Sequence, residues 1–346
     1  MLRKTGIMSK AVLLVNLGSP DSTSVADVKR YLDEFLTDER VIDKAFVRKV
    51  IVPWIILQTR PKKSAEAYAT IWTDEGSPLI VTSKQQAESL SAAISPSVYL
   101  AMRYGSPSIS SVIEQILKDG VTSLFVIPLY PQYAMSSYET VVVKVSEEIN
   151  RLQPDLDVEY LQPFYNDPAY LDILAQSIKE HLPEDTEKLL FSFHGVPERH
   201  LRVSDPSHAH CLCVKDCCSR ANPAHATCYR HQCFTTAKGV VERLNLPDEK
   251  YFISFQSRLG SDPWLTPFTD ATLEKFGKEG LKKVRVVCPA FVTDCLETLE
   301  EIAEEGKEIF MEAGGSDYDV IPCLNNDPRW IEYLAKKVES WVEIKE

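Results

Sequence analysis

A chain of 346 residues with a formal net charge of −12 is poorly made for holding nucleic acid, because phosphate binding depends on a basic face that releases counterions. Apolar residues at 44% and charged residues at 25%, with a mean hydropathy of −0.16, exclude a disordered or membrane-embedded chain. The length suits two domains, each large enough to bury its own core.

The basic opening MLRKTGIMSK leads into an apolar run, residues 11–15, that Asn16 interrupts, too short for a signal-peptide core. The next apolar run, 50–57, contains Pro53 and falls far below the roughly 20 residues that span a bilayer. Both features predict a cytoplasmic protein.

Short β-type runs then alternate with helical patterns, which predicts an α/β fold with parallel sheets flanked by helices. Residues 11–15 read as the first strand. After a cap at Ser24, Val25, Val28, Leu32, Phe35 and Leu36 keep helical spacing. Strands follow at 98–102, 123–128 and 158–161, with a helix over 107–118. The second half repeats the scheme, with strands at 188–193, 251–255 and 284–288 and helices near 169–181, 237–244 and 266–276. A last helix over 328–342 carries Trp330, Tyr333, Leu334, Val338 and Trp341. Two similar halves imply duplicated Rossmann-like domains, although no repeat is visible in the letters. The predicted division is 1–166, then 167–325 with a cysteine-rich insertion at 205–233, then 326–346 as a helix packing back toward the first domain.

Ligands of such folds sit beyond the C-terminal ends of strands. There His194 follows KLLFSF and precedes Gly195, Val196 and Pro197. Imidazole, which titrates near pH 6.5 when unperturbed, accepts a proton or binds a metal at neutral pH; a structural histidine is the even alternative. After VRVVCPAF, a predicted helix opens with Asp294, and Glu297, Glu301, Glu305 and Glu308 share one face opposite Leu299, Ala303 and Phe310. Alone, that run reads more readily as a solvated face. Its first turn lies at the expected crevice, however, where carboxylates relay protons or hold a hard divalent cation. Ser77 and Pro78, Arg103 and Tyr104, and Tyr130 to Tyr133 occupy other turns, where Arg, Tyr and Ser can hold carboxylate groups or an aromatic ring, or merely cap helices. No GxGxxG, P-loop or GxSxG motif is present.

Six of the nine cysteines follow the pattern C-x-C-x3-C-C-x9-C-x4-C from Cys211 to Cys233, while Cys288, Cys295 and Cys323 stand apart. Without an export signal, such clustering points to a metal site more than to disulfides. Thiolates serve zinc or an iron–sulfur cluster, and spacing alone puts zinc first.

Taken together, VNLGSP at 15–20, YLDEFLTDERVI at 31–42, GSPL at 76–79, RYGSP at 103–107, YPQY at 130–133, SFHGVPERH at 192–200, FQSRLGSDPWLTPFTDATL at 255–273 and CPAFVTDCLETLEEI at 288–302 resemble the ferrochelatase family, in family order over most of the chain. The resemblance implies the chelatase fold, two Rossmann-like domains with a porphyrin cleft between them. It implies a lyase that inserts Fe²⁺ into protoporphyrin IX, releases two protons and forms protohaem. His194 and Glu297 match the catalytic pair across the cleft, and Asp294, Glu301 and Glu305 the acidic path for protons or iron. Leu17, Ser77, Pro78, Arg103, Tyr104, Tyr133 and Trp264 match the surroundings of the porphyrin.

Residues 50–63 match the lip over that cleft, where Trp54, Ile55, Ile56 and Leu57, followed by Arg60, Lys62 and Lys63, suit weak peripheral contact with the inner membrane; ordinary helix packing is the alternative. An upstream haem-pathway enzyme is a further implied partner. Some ferrochelatases carry a [2Fe–2S] cluster on a C-terminal extension or an internal segment. With no cysteine tail before Glu346, this chain resembles the internal type, which places the cluster ahead of zinc. The expected ligands are Cys211, one of Cys217 and Cys218, Cys228 and Cys233, with His208, His210, His225 and His231 near enough to replace a sulfur. Two other readings stand beside this one: a coproporphyrin, cobalt or nickel tetrapyrrole chelatase, and a non-catalytic iron–sulfur or zinc protein that senses or delivers metal.

Overall fold

A computed structural model describes residues 9–260 and 262–345; the basic opening at 1–8 lies outside them. Strands β1 (Lys10–Ser19), β2 (Ser97–Gly105), β3 (Ser123–Pro128) and β4 (Asp157–Tyr160) form one parallel sheet in the order β2-β1-β3-β4. Strands β5 (Lys188–His194), β6 (Tyr251–Gln256), β7 (Lys283–Val287) and β8 (Asp317–Ile321) form a second in the order β6-β5-β7-β8. The two halves therefore repeat one topology, as their alternating patterns predict.

In β1 the run Ala11, Val12, Leu13, Leu14 and Val15 is fully buried, which requires cover on both faces of the sheet. Ala11, Leu13 and Val15, with Leu124 and Val126, join the core that holds Ile113 and Val145 from the helices Ile109–Lys118 and Thr140–Leu152. On the other face Val12, Leu14, Phe125 and Ile127 share a core with Leu334, Val338 and Trp341 of the helix Pro328–Ile344. Phe125 and Trp341 stack at 5.3 Å, Lys10 Nζ donates to the Val342 carbonyl at 3.0 Å, and Lys345 reaches Asp157 and Glu159.

Local chemistry sets the element ends. Ser24 accepts from the Asp27 N–H at the start of Val25–Leu36. Pro168 and Pro328 open their helices, with Asp167 and Asp327 accepting from the N–H of Ala169 and Arg329. Helices Leu57–Ile71 and Pro78–Ala93 were not anticipated, nor was β8, whose sequence DYDVI mixes acidic and apolar residues. Val47–Ile56 is a π-helix with Pro53 inside it. Among the described residues, no helix is long and apolar enough to cross a membrane.

The C-terminal edges of the two sheets meet through buried, directional bonds. Asn16, near the end of β1, donates to Ser83 at 3.0 Å and to Thr293 beyond β7 at 3.3 Å. Gln86 donates to Thr293 and to the Asn325 carbonyl, and Gln132 beyond β3 donates to the Pro289 carbonyl at 3.2 Å. Buried polar groups must find partners, so this seam fixes one orientation of the halves. It also brings together the very strand ends where ligands of such sheets bind.

Candidate active site

His194 is the last residue of β5 and pairs with Gln256 of β6. Its Nδ1 lies 2.7 Å from the Gly195 carbonyl. A carbonyl can only accept, so Nδ1 carries the proton and Nε2 of the neutral ring is left as an acceptor. Tyr229 donates to the His194 carbonyl at 2.8 Å, and Phe291 meets the ring edge-on at 6.2 Å. The turn requires glycine at 195, where a Cβ would stand 2.8 Å from the Gln256 carbonyl oxygen and 3.3 Å from Trp264. Trp264, held by its indole N–H to the Leu259 carbonyl, closes one side of the turn.

The acidic run differs from its sequence-based reading in one respect. Glu297–Glu305 is a π-helix, not an α-helix, and the wider turn brings residues four apart closer to one line. Glu297 and Glu301 are half-buried and Glu305 is exposed, so the three carboxyl groups run from the sheet ends to solvent. Burial pushes the Glu301 carboxyl upward and Glu297 adds to the rise, while Ser257 and nearby His194 oppose it. Burial, with Glu305, Glu301 and Glu304, pushes Glu300 up to about 7 against the pull of Lys63. Asp294 lies before the π-helix rather than on it. Its carboxylate accepts from Thr298 at 2.9 Å and from Asn325 at 2.6 Å, so it anchors the turn that starts the acidic run.

Ser257, absent from the sequence reading, donates its N–H (2.8 Å) and its hydroxyl to Glu301. It does so from a left-handed backbone, φ 58°, a conformation that non-glycine residues keep only where surroundings impose it. Its place just after β6 was the available signal. Ser257→Ala removes the hydroxyl bond that favours the charged carboxylate and so raises the Glu301 pKa further. Any step that needs ionised Glu301 then moves to higher pH, and a pH–rate profile should show its acid limb displaced upward. An unmoved limb would disconnect Glu301 from the rate.

The wall facing Glu297 carries buried phenols. Burial pushes up the pKa of Tyr31, Tyr68 and Tyr130, and the Glu297 charge adds to each; the Tyr130 hydroxyl is enclosed without a partner. Leu17 is half-buried under the lip. Ser77 is buried where it precedes the helix that Pro78 opens. Tyr133 is half-buried and its hydroxyl bonds Glu139.

Arg103 and Tyr104 depart from their expected place beside a ligand. Tyr104 has no exposed surface and donates to Asp38 at 2.8 Å, while Arg103 pairs with the same carboxylate and bonds Thr140 at 2.7 Å. Burial alone would raise Asp38, but Thr140, the Arg40 N–H and Arg103 together hold it below the usual carboxyl range. Tyr104 is therefore a buried support of the wall, not a lining residue, and Arg103 spends its charge internally.

In the cysteine-rich segment, Cys211, Cys217, Cys228 and Cys233 are buried, Cys218 is half-buried and Cys213 is exposed. Cys228 lies beside Cys211 and Cys218. The Arg230 guanidinium donates to the Cys217 and Cys218 sulfurs at 3.2 and 3.3 Å. His210 and His225 bond the Cys217 carbonyl and His231 the Cys218 carbonyl, and His208 is exposed. Among the described residues, no group of three or more His, Cys, Asp or Glu side chains is arranged to hold a metal ion.

Comparison with known proteins identifies the family. The model of the family Ferrochelatase matches residues 9–341. A protein named ferrochelatase from Opitutus terrae is 53% identical over 339 residues, covering 97% of this chain and 98% of that one. Another from Pseudomonas fluorescens is 50% identical over 332 residues, covering 95% and 97%. The solved structure of SirB from Bacillus subtilis with Fe³⁺ covers 96% of this chain and 95% of its own at a TM-score of 0.52 and 16% identity, a likeness of fold. A family match over nearly the whole chain and near-full-length agreement with these relatives lead to one conclusion: the chain belongs to the ferrochelatase family.

Proposed function

We infer that this protein inserts Fe²⁺ into protoporphyrin IX to form protohaem, with the macrocycle lying between the C-terminal edges of the two sheets. The observation that carries this is the His194 Nε2, an acceptor that bonds nothing among the described residues and lies next to a line of carboxyl groups that reaches solvent. Two pyrrole N–H protons must leave as the metal enters, so the site needs a base and an outlet. His194 accepts a proton at Nε2. Glu297 takes the complementary role of proton or metal relay, and Glu301, kept protonated to higher pH by burial, passes protons toward Glu305. General acid–base groups act best when their pKa lies near the working pH. Anaerobic metallation with protoporphyrin IX and coproporphyrin III in competition tests the reading, and protohaem should dominate. Turnover confined to coproporphyrin, or faster insertion of cobalt or nickel, would move the assignment to another chelatase; no turnover at all would favour a metal-binding protein.

The cysteine segment is read as the seat of a [2Fe–2S] cluster on Cys211, one of Cys217 and Cys218, Cys228 and Cys233. A two-iron cluster takes two sulfurs per iron rather than three around one ion, and four buried sulfurs in one short segment suit that demand. Arg230 and the Leu212 N–H supply donors to the sulfurs that favour thiolates. Such a cluster supplies no step in a metallation that is redox neutral. Iron and acid-labile sulfide should each approach two per chain; zinc in their place would overturn the reading.

The lip exposes Trp54 at 76% and Ile55 at 55%, and Phe46 just before it is 68% exposed, with Arg48, Lys49, Arg60, Lys62 and Lys63 nearby, a composition suited to weak contact with an anionic membrane surface. Sedimentation with anionic vesicles, lost on replacing Trp54 and Ile55 by serine, tests it. Equal sedimentation of both proteins would sink it.

A further inference from the structure

We propose that Asp43 and Lys44, in the segment leading into the lip, form with Arg199 and Asp262 of the second half a clasp that sets how fast the macrocycle enters and leaves. The proposal rests on the reading that puts the macrocycle between the two halves.

Asp43 and Lys44 stand just before the π-helix Val47–Ile56. Arg199 follows the His194 turn, and Asp262 precedes Trp264. Arg199 Nε donates to Asp43 Oδ1 at 2.6 Å, the same guanidinium pairs with Asp262, and Lys44 Nζ meets Asp262 at 2.5 Å. The four charges alternate in sign around the contact. Each side contributes one cation and one carboxylate, so the patches match in only one register and leave no net charge behind.

Below the pairs, His200 is 4% exposed and its Nε2 lies 3.7 Å from Asp43 Oδ1. Among the described residues, neither ring nitrogen has a hydrogen-bond partner. Burial lowers the His200 pKa against the pull of Asp43, so the ring is neutral and the Asp43 charge is left to Arg199. Leu259 and Leu296 of the second half pack against the apolar cluster of the lip that holds Tyr31 and Tyr68. The lip is thus shut by an apolar contact and fastened at its rim by charge. On the cleft reading, a flat, rigid macrocycle enters only when this apolar contact and the charged pairs open together. The clasp side chains are half-exposed, with Arg199 at 25% and Asp43 at 24%, so added salt weakens them.

The test is stopped-flow fluorescence of protoporphyrin IX binding to and leaving the full chain, for wild type, Asp43→Asn, Arg199→Gln and Asp262→Asn, at low and high ionic strength. In wild type both rates should rise with salt. In each variant both rates should be several-fold to about tenfold faster at low salt, with the salt dependence largely gone and the dissociation constant little changed. A purely structural role would lower the unfolding midpoint and leave the salt dependence intact. Rates within twofold of wild type with an unaltered salt slope in all three variants overturn the clasp. Failure of the underlying cleft reading is separate, since it would show as wild-type protein that neither binds protoporphyrin IX nor metallates it.

Discussion

His194→Ala is expected to lower kcat for iron insertion by about 10²–10⁴-fold while porphyrin binding and the unfolding midpoint stay close to wild type. The imidazole is half-buried, and its one side-chain bond goes to the neighbouring Gly195 carbonyl, so its removal opens no large cavity. What disappears is the acceptor at the end of β5, and the Tyr229 bond survives because it ends on the backbone carbonyl. Steady-state metallation beside equilibrium porphyrin binding separates the two effects. A variant within tenfold of wild type in kcat would remove the histidine from proton transfer and leave the acidic line as the whole device.

Gly18→Ala is expected to cost about 3–5 kcal/mol of stability, a large share of the roughly 5–15 kcal/mol that holds a protein folded. Gly18 has φ 107°, and a Cβ there would stand 1.8 Å from the Tyr104 carbonyl oxygen, its partner across the β1–β2 ladder. Relief requires the central strand to move away from β2, against fully buried neighbours. Tyr104 would move with it and disturb the Asp38 bonds beneath the wall. Urea unfolding followed by circular dichroism measures the loss; a midpoint close to wild type would mean that the two strands do not approach as described.

Legibility in the sequence followed the strength of the local signal. Strand β3 was read to its observed ends because the apolar stretch LFVI stands between Ser123 and Pro128, and β5 to within one residue because LLFSF leads straight into the His194 turn. The face on which Glu297, Glu301 and Glu305 lie was legible, but their spacing fits an α-helix as readily as a π-helix, so the wider winding was not. Tyr104 was misplaced for another reason. A tyrosine at a strand end beside an arginine looks like ligand chemistry, and only the fold shows Asp38, far away in the chain, closing over both. Ser257 had only its place just after β6 to mark it, because the left-handed backbone that aims its N–H and hydroxyl at Glu301 is something a serine does not announce. The approach of Lys44 to Asp262 depends on tertiary structure and left no mark on either local pattern.

The helix Pro328–Ile344 covers one face of a sheet whose last strand ends at Tyr160, and this has a consequence for synthesis on the ribosome. At about 5–20 residues per second, roughly 10–40 s separate completion of that sheet from the arrival of its cover. Throughout that interval Val12, Leu14, Phe125 and Ile127 have no Trp341, Val338 or Leu334 against them. The nascent chain therefore carries a partly uncovered apolar surface through about half of its translation, a natural station for a holding chaperone and the stage at which slowed elongation should most increase aggregation.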